Sequence, residues 1–195
     1  MQRLQILTIF ALTAFLAGGE IAAQTKHGGY FAGVFELTPV NKQKTVIAGG
    51  KAVWVFNGGF GIGGAYFDII NNVESNYYDD TAGAKSMVQL NYGGMTLEYN
   101  LNINDKIDLG AEILLGGGGI KLLPKDRTKP FRDFYGNDFL VWVPGVNISY
   151  KVASVLRLTF SAGYRLVTDF KPYVGHSSKD FSDYSAAFAI RLGEY

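Results

Sequence analysis

Histidine is the residue type best suited to acid–base work near neutral pH, and the chain holds only two, His27 and His176. His176 precedes Ser177 and Ser178 and stands close to Asp180 and Asp183. A hydroxyl nucleophile, an imidazole base and an orienting carboxylate are the parts of an acyl-transfer site. Here the parts are near neighbours in a polar stretch with no spacing that holds a geometry. Solvated loop residues are the simpler reading, and no catalytic residue is assigned. The run Gly59-Phe60-Gly61-Ile62-Gly63-Gly64 fits G-x-G-x-x-G. A dinucleotide site needs a helix after that run, whereas Ala65-Tyr66-Phe67-Asp68-Ile69-Ile70 reads as strand. The glycines are expected to admit bulky neighbours or let a wall bend. The glycines at 116–119 with Lys121 lack the G-K-[ST] ending of a phosphate loop. Glu74, Asp79 and Asp80 miss the spacing of a calcium loop. No cofactor and no metal site is expected.

Another set of charges follows a regular pattern. Glu36, Glu98, Asp108 and Glu112 stand against Lys51, Arg157, Arg165 and Arg191, four of each sign, each on the polar side of an alternating run. Charges that balance so closely suit an enclosed space, because an isolated buried charge is costly. The elements that must hold them are strands. Period-two alternation bounded by turn residues predicts eight, at 28–37, 44–56, 60–71, 86–99, 106–120, 138–150, 155–168 and 183–193. In the seventh, Leu156, Leu158, Phe160, Ala162, Tyr164 and Leu166 share one face, and Arg157, Thr159, Ser161, Gly163 and Arg165 share the other. In the third, glycines and aromatics alternate too weakly to assign a face.

The connections alternate in length. Asn57-Gly58-Gly59, 100–105 and 151–154 are tight, whereas 72–85, 121–137 and 169–182 are long and polar; 38–43 is intermediate. Transmembrane barrels sort their connections this way, with short periplasmic turns and long external loops. A soluble lipocalin-like barrel shows the same alternation with its apolar face inward. Three features favour lipid: a polar face rich in Gly, Ala, Ser and Thr, the balanced charges, and Trp54, Phe56, Tyr99, Tyr150, Tyr164 and Phe170 near strand ends, where aromatic girdles form.

Composition agrees. Glycine contributes 25 of 195 residues, aromatics 14% and charged residues only 18%, below the roughly 25% of ordinary soluble domains. A net charge of +1 gives no nucleic-acid surface, and the absence of cysteine removes disulfides and thiolate metal sites. Residues 1–23 read as a secretory signal peptide: Arg3, an apolar run over 4–16, and Ile21-Ala22-Ala23 before the cut that leaves Gln24. Residues 24–195 form the barrel domain. No later segment reads as a membrane helix, so a membrane-resident chain must cross as a closed barrel.

The stretch from Gly28 to Tyr195 resembles the small bacterial outer-membrane β-barrels of the OmpA and OmpX type. The resemblance rests on the segment from Ala48-Gly49-Gly50-Lys51 to Phe67, on Leu156-Arg157 to Tyr164-Arg165, and on the tail Ile190-Arg191-Leu192-Gly193-Glu194-Tyr195. It implies an eight-stranded antiparallel up-and-down transmembrane barrel, all-β, in the cell outer membrane after export through the periplasm. It also implies a monomer in contact with outer-membrane lipid, and a C-terminal strand read by the barrel-assembly machinery, although Tyr195 is out of phase with Phe188, Ile190 and Leu192. It implies no reaction. Lys125, Arg127, Lys129 and Arg132 in 124–132 suit lipopolysaccharide phosphates and equally suit loop solubility. The expected function is a non-catalytic barrel whose external loops serve surface interaction or envelope integrity. A small pore, a rim enzyme acting on lipid and a soluble binding barrel are the alternatives; an eight-stranded lumen is about filled by side chains, which disfavours a wide pore.

Overall fold

Alternating sequence becomes alternating exposure along the walls. In a computed structural model, which describes residues 27–56, 59–79, 84–123, 137–171 and 176–194, the strands are β1 Gly28–Val40, β2 Gln43–Val55, β3 Phe60–Ile69, β4 Val73–Asp79, β5 Ala84–Asn102, β6 Ile107–Leu123, β7 Asn137–Ala153, β8 Leu156–Thr168 and β9 Asp183–Glu194. The expected signal peptide and residues 124–136 lie outside the described residues. Every pairing is antiparallel, in the order β3-β2-β1-β9-β8-β7-β6-β5-β4, and β3 also pairs with β5. That last pairing closes the ring. β3 lies on β5 from Phe60↔Tyr99 to Asp68↔Asn91, and β4 continues along β5 from Val73↔Val88 to Asp79↔Ala84. The two are one wall position interrupted at 70–72, so the barrel has eight staves.

The connection expected at 72–85 is therefore mostly strand, and β5, β6 and β7 run past their expected ends. The added residues at these ends, such as Lys121-Leu122-Leu123 and Lys151-Val152-Ala153, are mixed in polarity, so the period-two signal weakens there while backbone pairing continues. The connection expected at 38–43 tightens to Asn41 and Lys42, with φ of 50° and 61°. Two consecutive left-handed residues are what the type I′ hairpin turn uses to match strand twist.

At the tight-turn end Gly59 has a φ of 85°, and a Cβ there would meet the Asn100 carbonyl oxygen at 2.0 Å. The Gly59 carbonyl accepts the Asn100 N–H at 2.8 Å. Gly59→Ala is expected to lower the unfolding free energy by about 1–3 kcal/mol, the cost of one strained backbone site. The urea midpoint of detergent-folded protein checks this, and an unchanged midpoint refutes it.

The two faces have opposite chemistry. Outside, Phe31 is 59% exposed, Val146 62% and Phe160 58%. Inside, Glu98 is 2% exposed and Arg165 0%. This is the reverse of a soluble barrel. β3, which the sequence pattern leaves open, resolves as Gly61 and Phe67 inward with Ile62 and Tyr66 outward. Gly61 is glycine because its inner face holds Glu98: a Cβ would lie 2.8 Å from Glu98 Cγ. The G-x-G-x-x-G run is thus strand wall. Phe170, expected in a girdle, instead packs on the wholly buried Phe181, with ring centroids 5.4 Å apart. Among the described residues no helix is long and apolar enough to cross a membrane, which says nothing of crossing by strands.

Candidate functional site: the lumen and its mouth

Because inward positions recur every second residue on neighbouring staves, the charged side chains of β1, β2, β5, β6, β8 and β9 converge on the axis in two layers. The layer towards the tight turns is centred on Glu98. Its carboxylate receives the Tyr30 hydroxyl at 2.6 Å and Asn100 Nδ2 at 3.1 Å. Lys51 Nζ lies 3.0 Å away and Arg191 3.9 Å away. Lys51 also bonds Glu112, which sits directly across from Glu98 on the adjoining strand. Without a shared cation these two carboxylates would repel; Lys51 bridges them. Arg191 is likewise the cross-strand neighbour of Arg157. The Arg191 guanidinium spreads over the Tyr30 ring, 4.7 Å from its centroid, and Arg157 turns to Asp108 at 3.4 Å.

The second layer, nearer the loops, is built on Arg165. Its Nη1 donates to Glu36 Oε1 at 3.1 Å, its Nη2 to Thr38 Oγ1 at 3.3 Å and to the Pro39 carbonyl at 3.1 Å, and its Nε to the Phe181 carbonyl at 2.8 Å. The Tyr92 hydroxyl donates to the other Glu36 oxygen at 2.8 Å. The rigid guanidinium fork spreads its donors over acceptors on different sides of one plane, a reach that the compact lysine ammonium lacks. Of the four expected lumen carboxylates, Glu36 is the partner of Arg165, and Glu112 is Lys51's. Between the layers lies a cavity of about 70 Å³ whose walls include Ala32, Val34, Ala65, Phe67, Leu114 and Val143. Glu36 of one layer and Lys51, Glu112 and Arg191 of the other also border it.

Above Arg165 the chain folds into the barrel mouth. Ser177 and Asp180 are tied into a capped 3₁₀ turn, Ser178–Asp180: Asp180 Oδ2 accepts the Ser177 N–H at 2.7 Å and the Ser177 hydroxyl at 3.1 Å. The serine–histidine–aspartate grouping read from adjacency is therefore not assembled. The hydroxyl that meets His176 comes from β4: Ser75 Oγ lies 2.8 Å from Nε2, and both residues are almost completely buried. A separation of 101 residues hides that pair from any motif search. The Asp180 carbonyl accepts the Asn41 N–H at 2.7 Å, and the β4 edge at Glu74 is covered by Gln43 and Asn41 side chains. Among the described residues no group of three or more His, Cys, Asp or Glu side chains is arranged for a metal ion. Asp80 and the Asp79 side chain lie outside that description.

A closed eight-staved wall with ion pairs inside and aromatics and aliphatics outside defines a class, the small membrane-type β-barrel. Three solved structures show how close the likeness of fold is. Ail, the attachment invasion locus protein of Yersinia pestis, solved in complex with the heparin analogue sucrose octasulfate, shares 12% identity at a TM-score of 0.54, over 86% of this chain and 97% of Ail. Neisserial surface protein A shares 11% at 0.52, over 86% and 96% of the two chains. The N-terminal β-barrel domain of Pseudomonas aeruginosa OprF shares 8% at 0.53, over 87% and 99%. No family model matches the sequence, and no curated protein does. The common ground is the architecture of the small outer-membrane barrels, the fold that the OmpA- and OmpX-type resemblance implies.

Proposed function

We propose that this chain is an integral outer-membrane barrel, exported with loss of residues 1–23, that acts through its external loops in surface contact and neither catalyses nor conducts. The observation that carries this reading is the inverted polarity of the wall: bulky apolar side chains outside, charged side chains inside. Such a wall is stable only where its outer face meets hydrocarbon. The lumen supports a non-conducting role, since Arg165 and Phe181 are wholly buried across its loop end. For the loops we favour sulfated or phosphorylated sugars, lipopolysaccharide among them. Ail was solved with such a polyanion bound. Here Lys125, Arg127, Lys129 and Arg132, against Asp126 and Asp133, leave the connection after β6 net positive.

Single cysteines at Lys129, Lys179 and Ser154 test the placement. On intact cells an impermeant thiol reagent is expected to label the first two and to reach Ser154→Cys only after the envelope is opened. Labelling at Ser154→Cys alone would invert the topology, and a protein recovered in the soluble fraction would overturn the membrane reading. Planar bilayers holding the folded protein are expected to show no steady current; sustained conductance would return the function to a pore.

A further inference from the structure

His176 occupies a position that the proposed function leaves unused. It is 2% exposed, bonded through Nε2 to Ser75 Oγ at 2.8 Å, and its ring lies 5.5 Å from the Phe181 ring, which is itself wholly buried. Its Nδ1 is enclosed and meets no hydrogen-bond partner among the described residues; neither does the Ser86 hydroxyl. The rest of the segment is held by bonds that do not titrate near neutrality. Arg165 grips the Phe181 carbonyl, Asn41 grips the Asp180 carbonyl, and the Ser182 hydroxyl accepts the Val167 N–H at 2.9 Å while donating to the Ser178 carbonyl at 2.9 Å.

We propose that residues 176–182 form an acid-released latch across the barrel mouth, with His176 as its trigger. Neutral imidazole fits the site: one ring nitrogen is engaged by Ser75, and the other needs no donor's partner in the tautomer that leaves it bare. Imidazolium does not fit, because it carries two N–H donors and a charge into an enclosure in which the described residues offer Nδ1 no acceptor. Among the described residues the charged groups on the elements packed against it are few. On its own segment Asp180 attracts a proton, but its carboxylate already serves the Ser177 N–H and hydroxyl, and Lys179 is exposed. From β4 comes Glu74, whose main chain is bound to Gln43 and Asn41. From β8 comes Arg165, itself a cation, beyond the Phe181 carbonyl.

Burial pushes the His176 imidazole below its ordinary range, and Asp180 draws it part of the way back. The latched state thus binds its proton less readily than the released one. Its stability is full above about pH 6.5, the ordinary histidine value, and is lost as pH falls below that. One proton is involved, so the released-to-latched ratio rises at most about tenfold per pH unit.

Hydrogen exchange of the full folded chain in detergent, followed by mass spectrometry at pH 7.5, 6.5 and 5.5 and corrected for intrinsic rates, reads this directly and does not depend on which side of a membrane the mouth faces. Peptides covering 176–182 are expected to lose protection up to about tenfold per unit below pH 6.5, while β6 and β7 keep theirs. His176→Gln is expected to remove the pH dependence. If that variant is open at every pH, His176→Phe, which keeps a ring against Phe181, must hold the segment closed at pH 5.5. Equal protection of native 176–182 at pH 7.5 and 5.5 overturns the latch, as does an acid response that persists in both variants.

Discussion

Glu98→Ala is expected to cost the barrel about 3–5 kcal/mol of unfolding free energy, the usual penalty for removing one member of a buried ion pair. The reason is what the substitution leaves behind. Lys51 keeps Glu112 alone of its two carboxylates, and Arg191 loses the carboxylate 3.9 Å from its guanidinium. Arg191 already lies beside Arg157 in register, so the layer turns from balanced to net positive inside a closed wall. The Tyr30 hydroxyl, which donates to Glu98 at 2.6 Å, loses its acceptor as well. Urea unfolding in detergent, followed by tryptophan fluorescence and by the mobility difference between folded and unfolded barrel, measures the loss. Glu98→Leu with Lys51→Met is expected to recover only part of it, because the layer's charges balance again while Glu112 is left without its lysine and Arg191 without its carboxylate. A shift below about 1 kcal/mol for Glu98→Ala, the scale of a surface pair, would mean that water reaches this layer freely.

Arg165→Met is expected to act as strongly but in two separable ways. It strands Glu36, 4% exposed, with the Tyr92 hydroxyl as its remaining donor in this layer, and the loss should again be about 3–5 kcal/mol. It also takes the donor from the carbonyls of Phe181 and Pro39, which releases the segment across the mouth. Adding Glu36→Leu should restore much of the global stability, since no carboxylate is left unpaired. It should not restore hydrogen-exchange protection at 176–182, since the carbonyls still lack a donor. Arg165→Lys should show the same split, because an ammonium can answer Glu36 but lacks the fork that spans four acceptors. Recovery of both properties together in the double variant would show that the guanidinium acts only through its charge.

The parts of the fold that were legible are those in which local chemistry repeats. Leu156 through Leu166 and Arg157 through Arg165 alternate so regularly that their two faces could be read directly, and the tight connections announce themselves by length. β4 is not legible, because Val73–Asp79 carries Glu74, Ser75, Asn76 and Asp79 within seven residues, and that polarity mimics a loop. Nor is the facing of β3. A glycine says nothing of direction, and Phe67 and Tyr66 are equally bulky; only the fit of Gly61 over Glu98 and of Phe67 against Tyr92, with ring centroids 5.1 Å apart, selects one. At the mouth, sequence neighbours mislead. The serines adjacent to His176 are turn residues, while its hydroxyl partner comes from another stave.

Alternation, loop lengths and a balanced set of charges by themselves determined that this chain makes an eight-staved barrel, because side-chain direction in a strand has a period of two whatever lies across from it. Partnership was decided only by the tertiary structure. Which carboxylate meets which cation depends on register and on how far each long side chain reaches across the lumen, quantities set by closure of the whole ring. Thus Arg165 of β8 takes Glu36 of β1 across 129 positions of sequence, with β9 between their strands, and His176 takes Ser75 of β4 across 101.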